Sequence, residues 1–361
     1  MSWKYFFFAL TALVAAACSP KQDVTVQKIW DNDYSSFPSI EKFNGKYYVS
    51  TREAKSHIFD ENGKADGKAR ILVSKDGEKW ESVALLEKEG YDLRDPKLSI
   101  TADGRLMVIM GGSMYVDKQL VRMDPQVSFS SDGINFSEPQ NVKFEGLDGP
   151  VDREWIWRVT WHDGTGYGVT YGGPHFALLK TVDGITFSKV CDLAIDKSDD
   201  VVKYAGESTI RFTPDGRMYM MVRSRDSHWG WSDYPYTDWT WTDMNINLGG
   251  PDFIFMKNGS LYAGTRYYFS NGNCKTMLMR GSREGKFDEL YLLPSGGDTS
   301  YPGFMETDDE LWMVYYSCHE TNDSFKESTS YEYDPEKQTP RACIYLAKFK
   351  KDFIAEYSAC K

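Results

Sequence analysis

Six times along the chain an apolar run is followed by a tight turn and then by a second run in which apolar and polar residues alternate. The copies are FPSIEKFNGKYYVSTRE from Phe37, DPKLSITADGRLMVIMGG from Asp95 and EWIWRVTWHDGTGYGVTYGG from Glu154. They continue with ESTIRFTPDGRMYMMVRSR from Glu207, GPDFIFMKNGSLYAGTRYY from Gly250 and SYPGFMETDDELWMVYYS from Ser300. Alternation with period two marks half-buried strands, and Asn-Gly or Asp-Gly between such runs marks a hairpin. The first residues of successive copies lie 58, 59, 53, 43 and 50 residues apart. Each interval has room for that hairpin and a second, more variable one, which makes about four strands per unit. Two stacked sandwich domains would not repeat in step this way. The pattern predicts an all-β chain folded as a six-bladed β-propeller of four-stranded antiparallel blades, an architecture with few exposed edges.

A second motif recurs between the hairpins: SKDGEKW at 74–80, SSDGINF at 130–136 and TVDGITF at 181–187, with GSREGKF at 281–287 as a degraded copy. In each intact copy the Asp side chain is placed to bond backbone groups of its own turn, Gly supplies a positive φ, and the aromatic tucks beneath the sheet. The motif resembles the Asp-box, or BNR repeat, of the sialidase (neuraminidase) superfamily, whose fold is a six-bladed propeller. Asp-boxes lie on the blade periphery and occur in other propellers, so the resemblance speaks to fold rather than to chemistry.

The chain start changes the picture of where the protein works. Lys4 precedes an apolar run from Tyr5 to Ala17, which ends at Cys18. The run reads as a secretory signal and is too short to favour a membrane span. Three alanines before Cys18 resemble a bacterial lipobox, which implies cleavage before Cys18, acylation of its thiol and a lipid-anchored protein of the cell envelope (outer membrane or periplasm). The expected organisation is a signal peptide over 1–17, a short tether over 18–28 and one propeller over 29–361. The net charge of −11 becomes one unit more negative once Lys4 is lost. That field repels nucleic acid and leaves the lipid on Cys18 as the expected membrane contact. The remaining cysteines (Cys191, Cys274, Cys318, Cys343 and Cys360) show no CxxC spacing. No metal and no cofactor is expected, while Cys318 and Cys343 both fall in strand-like text and are candidates to pair.

Polar residues recur where innermost strands should open: Arg94-Asp95, Trp157-Arg158, Glu207, Asp252, and Asp298 with Tyr301. The following strands end in Arg52-Glu53, Arg223-Ser224-Arg225, Arg266-Tyr267 and Tyr315-Tyr316. Such residues either close the ring as inter-blade ion pairs or line a mouth. A mouth of this composition suits a sugar, with aromatic faces for the ring and Arg forks for anionic or hydroxylated groups. Because proline cannot donate to a ladder, Pro302 is expected at the first position of its strand, which places Tyr301 at the strand mouth.

Here the resemblance to sialidases becomes specific. Glu207 is similar to the glutamate that activates the family's tyrosine nucleophile, and Tyr301 to that nucleophile. Arg223 or Arg225, and Arg266, are similar to arginines of the anion-binding triad. The resemblance therefore implies a tyrosine that attacks an anomeric carbon, the sialidase exception among glycosidases. A phenol with a pKa of about 10 needs the neighbouring acid to do so. The family opens its first blade with Arg-Ile-Pro, whereas SSFPSI places Ser36 and Phe37 before Pro38, and Arg52 lies one strand on. This departure predicts poor cleavage of ordinary sialosides. The family's acid/base aspartate is expected in EAKSHIFDENGKADGK, where His57, Asp60, Glu61 and Asp66 compete; Asp95 is a rival. Arg52, Arg94, Trp157, Arg158 and Asp252 are candidates to hold substrate. So are Arg223, Arg225, Arg266, Asp298 and Tyr315, with Trp155, Trp157 and Trp229 as stacking surface. The implied function is an exported exo-acting glycosidase that removes a terminal sugar, acidic or not, from extracellular glycans. The alternatives are a surface glycan-binding propeller without catalysis and a polysaccharide lyase on the same fold.

Overall fold

The computed structural model describes residues 23–195, 205–269, 274–321 and 341–357. The signal-like segment with Cys18, and Cys360, lie outside the described residues. The strands form six sheets, each a blade of a β-propeller. In the first blade the order from the axis outward is Tyr34–Phe43, Lys46–Ala54, Lys68–Ser74 and Glu81–Leu86. The fourth and fifth blades repeat this meander. In the third blade the inner strand is broken into Trp155–Ile156 and Thr160–His162, and Lys143–Glu145 adds in parallel outside Thr186–Asp192. In the sixth, Val24–Trp30 runs antiparallel to Cys343–Lys350, so one sheet holds the first and last strands of the described chain, and a short helix over Lys351–Tyr357 follows. Residues 24–28 thus belong to the propeller instead of to the expected tether, because closing the ring recruits them as a strand.

The hairpins follow from local chemistry. Asn44-Gly45 (φ 47 and 75) and Asp163-Gly164 (φ 45 and 78) take the paired left-handed conformation that matches the twist of the flanking strands. The turns between third and fourth strands share another geometry. Asp76 Oδ1 accepts from the Glu78 and Lys79 amides at 2.8 and 3.0 Å, while Ser74 Oγ accepts from the Gly77 amide at 2.8 Å. Asp132 with Ser130 and Asp183 with Thr181 repeat this pattern. At 281–287, where the Asp is replaced by Glu284, the turn closes through backbone bonds instead, Gly285 N to Ser282 O and Ser282 N to Lys286 O.

Side chains from the two faces of each blade meet those of its neighbours in six apolar clusters, one per blade interface. Val49 and Leu72 of the first blade join Val314 and Leu346 of the last, which closes the ring. The alternation of a strand decides which interface a residue enters. Cys318 sits in the cluster between the sixth and first blades and Cys343 in that between the fifth and sixth. Among the described residues neither is in a disulfide, nor are Cys191 and Cys274. Cys318 and Cys343, the candidates to pair, are not joined, since they lie on opposite faces of one sheet.

Candidate functional site

The inner strands of four blades slip register at one level: between Ser36 and Ser39, Arg94 and Lys97, Gly249 and Asp252, and Ser300 and Gly303. Inside each slip is a proline, and the residue before it is left-handed: Phe37 (φ 56), Asp95 (φ 46), Gly250 (φ 53) and Tyr301 (φ 52). A bulge is the place within a strand where a missing N–H does no harm. Pro302 therefore lies inside Thr299–Glu306, and Tyr301 is presented by a bulge instead of by a strand end. Carbonyls freed by the bulges are taken up by side chains of other blades. Lys97 Nζ donates to Phe37 O (2.9 Å) and Pro38 O (3.1 Å), and Ser50 Oγ to Pro96 O (2.7 Å). Thr209 Oγ1 donates to Pro251 O (2.9 Å) and Arg158 Nη2 to Pro302 O (3.1 Å).

The bulge brings Tyr301 onto Glu207. Its Oη donates to Glu207 Oε1 at 2.6 Å. Arg223 Nη1 donates to both carboxylate oxygens, at 2.8 and 2.9 Å, and to Tyr301 Oη at 2.9 Å. Glu207 and Arg223 face each other because their backbones pair, Arg223 N to Glu207 O at 3.0 Å. The Tyr301 ring is held edge-on by Phe37 and Trp157, at centroid distances of 5.0 and 6.1 Å. The Arg266 guanidinium lies over the ring at 5.0 Å. Burial alone would raise the Glu207 carboxyl, but the Arg223 charge and the tyrosine hydroxyl outweigh it and hold the acid below its ordinary range. Burial and the charge on Glu207 push the Tyr301 phenol well above its usual value. At rest the pair is therefore a neutral tyrosine bonded to an ionised glutamate.

Beside this pair Asp298 is a hub. Its Oδ1 accepts from Arg266 Nη2 (2.6 Å) and Tyr316 Oη (2.7 Å); its Oδ2 meets Tyr34 Oη and His57 Nδ1. Burial opposes ionisation of Asp298, yet His57, Arg266 and Tyr34 together depress its carboxyl far below the usual range. Arg94 Nη1 donates to His57 O at 3.1 Å and pairs with Asp92 at 3.3 Å. Asp95 is buried, its Oδ1 has no hydrogen-bond partner among the described residues, and burial raises its carboxyl. Trp155 and Tyr171 stack at 5.5 Å nearby, and Tyr171 feels the charges of Glu207 and Asp95.

Other candidates are buried, engaged in the protein's own contacts, or lie apart from the Tyr301–Glu207 contact. Arg52 is fully buried and tied to Asp92 (2.8 Å) and the Ser56 carbonyl (2.8 Å). Arg158 and Asp252 pair at 3.3 Å and Arg211 joins Asp252 at 2.6 Å, an inter-blade ion network beneath the bulges. Asp60 holds its own loop through the Asn62 and Lys64 amides. Tyr315 points to the opposite face from Tyr316 and bonds the Pro294 carbonyl. Trp229 is buried in the core with its indole N–H on Arg283 O, Trp157 is 1% exposed, and Arg225 lies exposed beyond Ser224. Tyr34 and Tyr171, which the sequence reading did not single out, also join the cluster around Tyr301 and Asp298, as does Tyr316, named there only together with Tyr315 at a strand end. An open cleft of about 840 Å³, lined by residues 62–68, 87–92 and Tyr115, borders Asp92 but includes none of the Tyr301 network. The Tyr301–Glu207 contact lies outside that cleft.

No protein-family model matches the chain, and no curated relative matches it. Among solved structures, a protein of unknown function from Dyadobacter fermentans superposes with a TM-score of 0.69 at 15% identity, over 91% of this chain and 99% of that one. An endosialidase of phage phi92 superposes at 0.67 and 11% identity, over 91% and 69%. A Trypanosoma rangeli sialidase in complex with sialic acid superposes at 0.67 and 9% identity, over 96% of this chain and 62% of that one. At these identities the likeness shows the fold: a propeller of the kind found in sialidases.

Proposed function

We propose that the chain is a retaining, exo-acting glycosidase whose nucleophile is Tyr301. The observation that carries this reading is the 2.6 Å bond from the Tyr301 hydroxyl to Glu207 under Arg223. In the first step Tyr301 Oη forms a bond to the anomeric carbon while its proton passes to Glu207 Oε1. The glycosidic C–O bond breaks and the leaving oxygen takes a proton from Asp95. In the second step Asp95 removes a proton from water, whose oxygen attacks the anomeric carbon. The tyrosyl bond breaks, and Glu207 returns the proton to Tyr301. The pKa values of the resting pair make proton transfer uphill before substrate binds, so it is concerted with attack. Arg223 then balances the charge shared by phenolate and carboxylate. Asp95 suits the acid role because burial favours its protonated form and one oxygen is unpartnered. The Trp155–Tyr171 stack offers a ring-sized face for the sugar.

We further propose that acylation of Cys18 holds the enzyme at the cell envelope, where its substrates are extracellular glycans. The catalytic reading is tested by Tyr301→Phe and Glu207→Gln, which keep the shape of both side chains. Each is expected to lower kcat by about three orders of magnitude or more, and the double variant little further, since the two act as a unit. Near-normal turnover by both single variants would move the chemistry to Asp95 or His57. A folded wild type that binds glycans and turns over none would favour the non-catalytic propeller.

A further inference from the structure

A site that grips a sugar carboxylate needs a cation whose charge is not already matched. Each arginine that meets the Tyr301 network is already bonded to a carboxylate. Arg223 serves Glu207, and Arg94 shares Asp92 with the buried Arg52. Arg266 is 3% exposed, with Nε on Thr299 O (2.8 Å) and Nη2 on both Asp298 Oδ1 (2.6 Å) and Tyr316 Oη (2.8 Å). The first blade supplies no cation at the corresponding bulge: Ser36 is fully buried, and the Phe37 ring packs against Tyr301. Asp298 is the distinctive element. Its oxygens receive Arg266, Tyr316, Tyr34 and His57, a complete donor set of the kind that a bound carboxylate would otherwise recruit.

We propose that Asp298 is a built-in carboxylate that neutralises Arg266, and that the site consequently takes a neutral sugar and rejects carboxylated ones. The proposal rests on the reading of Tyr301 and Glu207 as the reacting pair. A sugar carboxylate entering beside them would face Asp298 and Glu207 as like charges, while the nearby guanidiniums are already engaged. Neutral hydroxyls carry no such penalty and hydrogen-bond to the edges of Arg94 and Arg223. Even when His57 is protonated, its Nδ1–H is directed at Asp298, so this positive charge too is answered within the protein.

The experiment has two arms. In the first, the wild-type protein is assayed on 4-nitrophenyl glycosides of neutral hexoses, pentoses and deoxyhexoses, and on the corresponding N-acetylneuraminide and glucuronide. Cleavage confined to neutral glycosides supports the proposal; equal or better kcat/KM on a carboxylated one overturns it. In the second, calorimetry measures free N-acetylneuraminate and glucuronate binding to wild type and to Asp298→Asn. Asn keeps the shape and an acceptor oxygen but removes the carboxylate charge that faces Arg266. The variant is expected to bind these carboxylates at least about tenfold tighter than wild type, for which Kd is expected to be weaker than about 1 mM. Unchanged or weaker binding by a folded variant overturns the proposal. If Asp298→Asn does not fold, wild-type affinity alone decides, with submillimolar binding of either acid counting against it. If no glycoside is cleaved, the glycosidase reading fails and the binding arm still tests the role of Asp298.

Discussion

At the scale of single residues, the position of the Tyr301 ring depends on an atom that is absent. Gly250 occupies the bulge of the fifth blade in the same left-handed conformation as Tyr301 in the sixth, and the Tyr301 ring lies flush against it. A Cβ at Gly250 would fall 2.5 Å from ring carbons Cγ and Cδ1, closer than van der Waals contact permits. The ring is wedged on its other sides by Phe37, Trp157 and Arg266, so it has no direction of retreat that keeps Oη on Glu207. Gly250→Ala should therefore lower stability by about 1–3 kcal/mol through overpacking and left-handed strain. It should also lower kcat/KM by about a hundredfold, since misplacement by an ångström is enough. Denaturant unfolding together with kinetics checks both; full activity in Gly250→Ala would mean that the ring position is not critical.

At the scale of elements, the hairpins were legible because an Asn-Gly or Asp-Gly turn carries its geometry within a few residues. Register slips were not, because a bulge is defined by the partner strand. Pro302 illustrates the difference: from sequence alone it reads as a strand start, and only pairing with Glu310–Ser317 reveals a strand continuing through it. Charge partners were illegible for the same reason. Asp252 and Arg158 are far apart in sequence and meet only when the ring closes, while Tyr315 and Tyr316 are adjacent in sequence and serve different interfaces. Glu207 and Tyr301, which the structure brings into contact, could be paired from the sequence because a family resemblance stood in for the missing long-range information. The bulges also have a pH signature. Lys97 crosses from the second blade to cap the carbonyls of Phe37 and Pro38, and burial, with Arg158 nearby, pulls its ammonium down to about 7. An unfolded lysine titrates at about 10.4. Between these values the unfolded chain holds a proton that the folded chain has released. Stability should then rise with pH across that window, by about 1.4 kcal/mol per unit for one such group. Lys97→Met lacks the group, and its unfolding free energy should be flatter from about pH 7 to 10. Parallel pH profiles for the two proteins would show that Lys97 keeps its proton when folded.

At the scale of the whole molecule, ring closure and anchoring meet at one edge. Val24–Trp30 is the outermost strand of the sixth blade and pairs with Cys343–Lys350, so the sheet that closes the propeller is also where the proposed anchor must arrive. Cys18 precedes that strand by six positions. At a maximum of about 3.6 Å per residue, the chain between them reaches at most about 22 Å. A lipid on Cys18 would hold the sixth blade, which carries Tyr301, close to the bilayer. The protein has a net charge of −11, so attraction to anionic lipid offers no second route to the membrane. Cys18→Ala should accordingly move the protein wholly from the membrane to the soluble fraction while leaving its thermal unfolding unchanged, because the strand that closes the ring begins downstream of the substitution. Fractionation of cells that express each form, followed by thermal denaturation of the released protein, checks both halves. A Cys18→Ala protein that stays in the membrane fraction would show that something other than this cysteine holds it there.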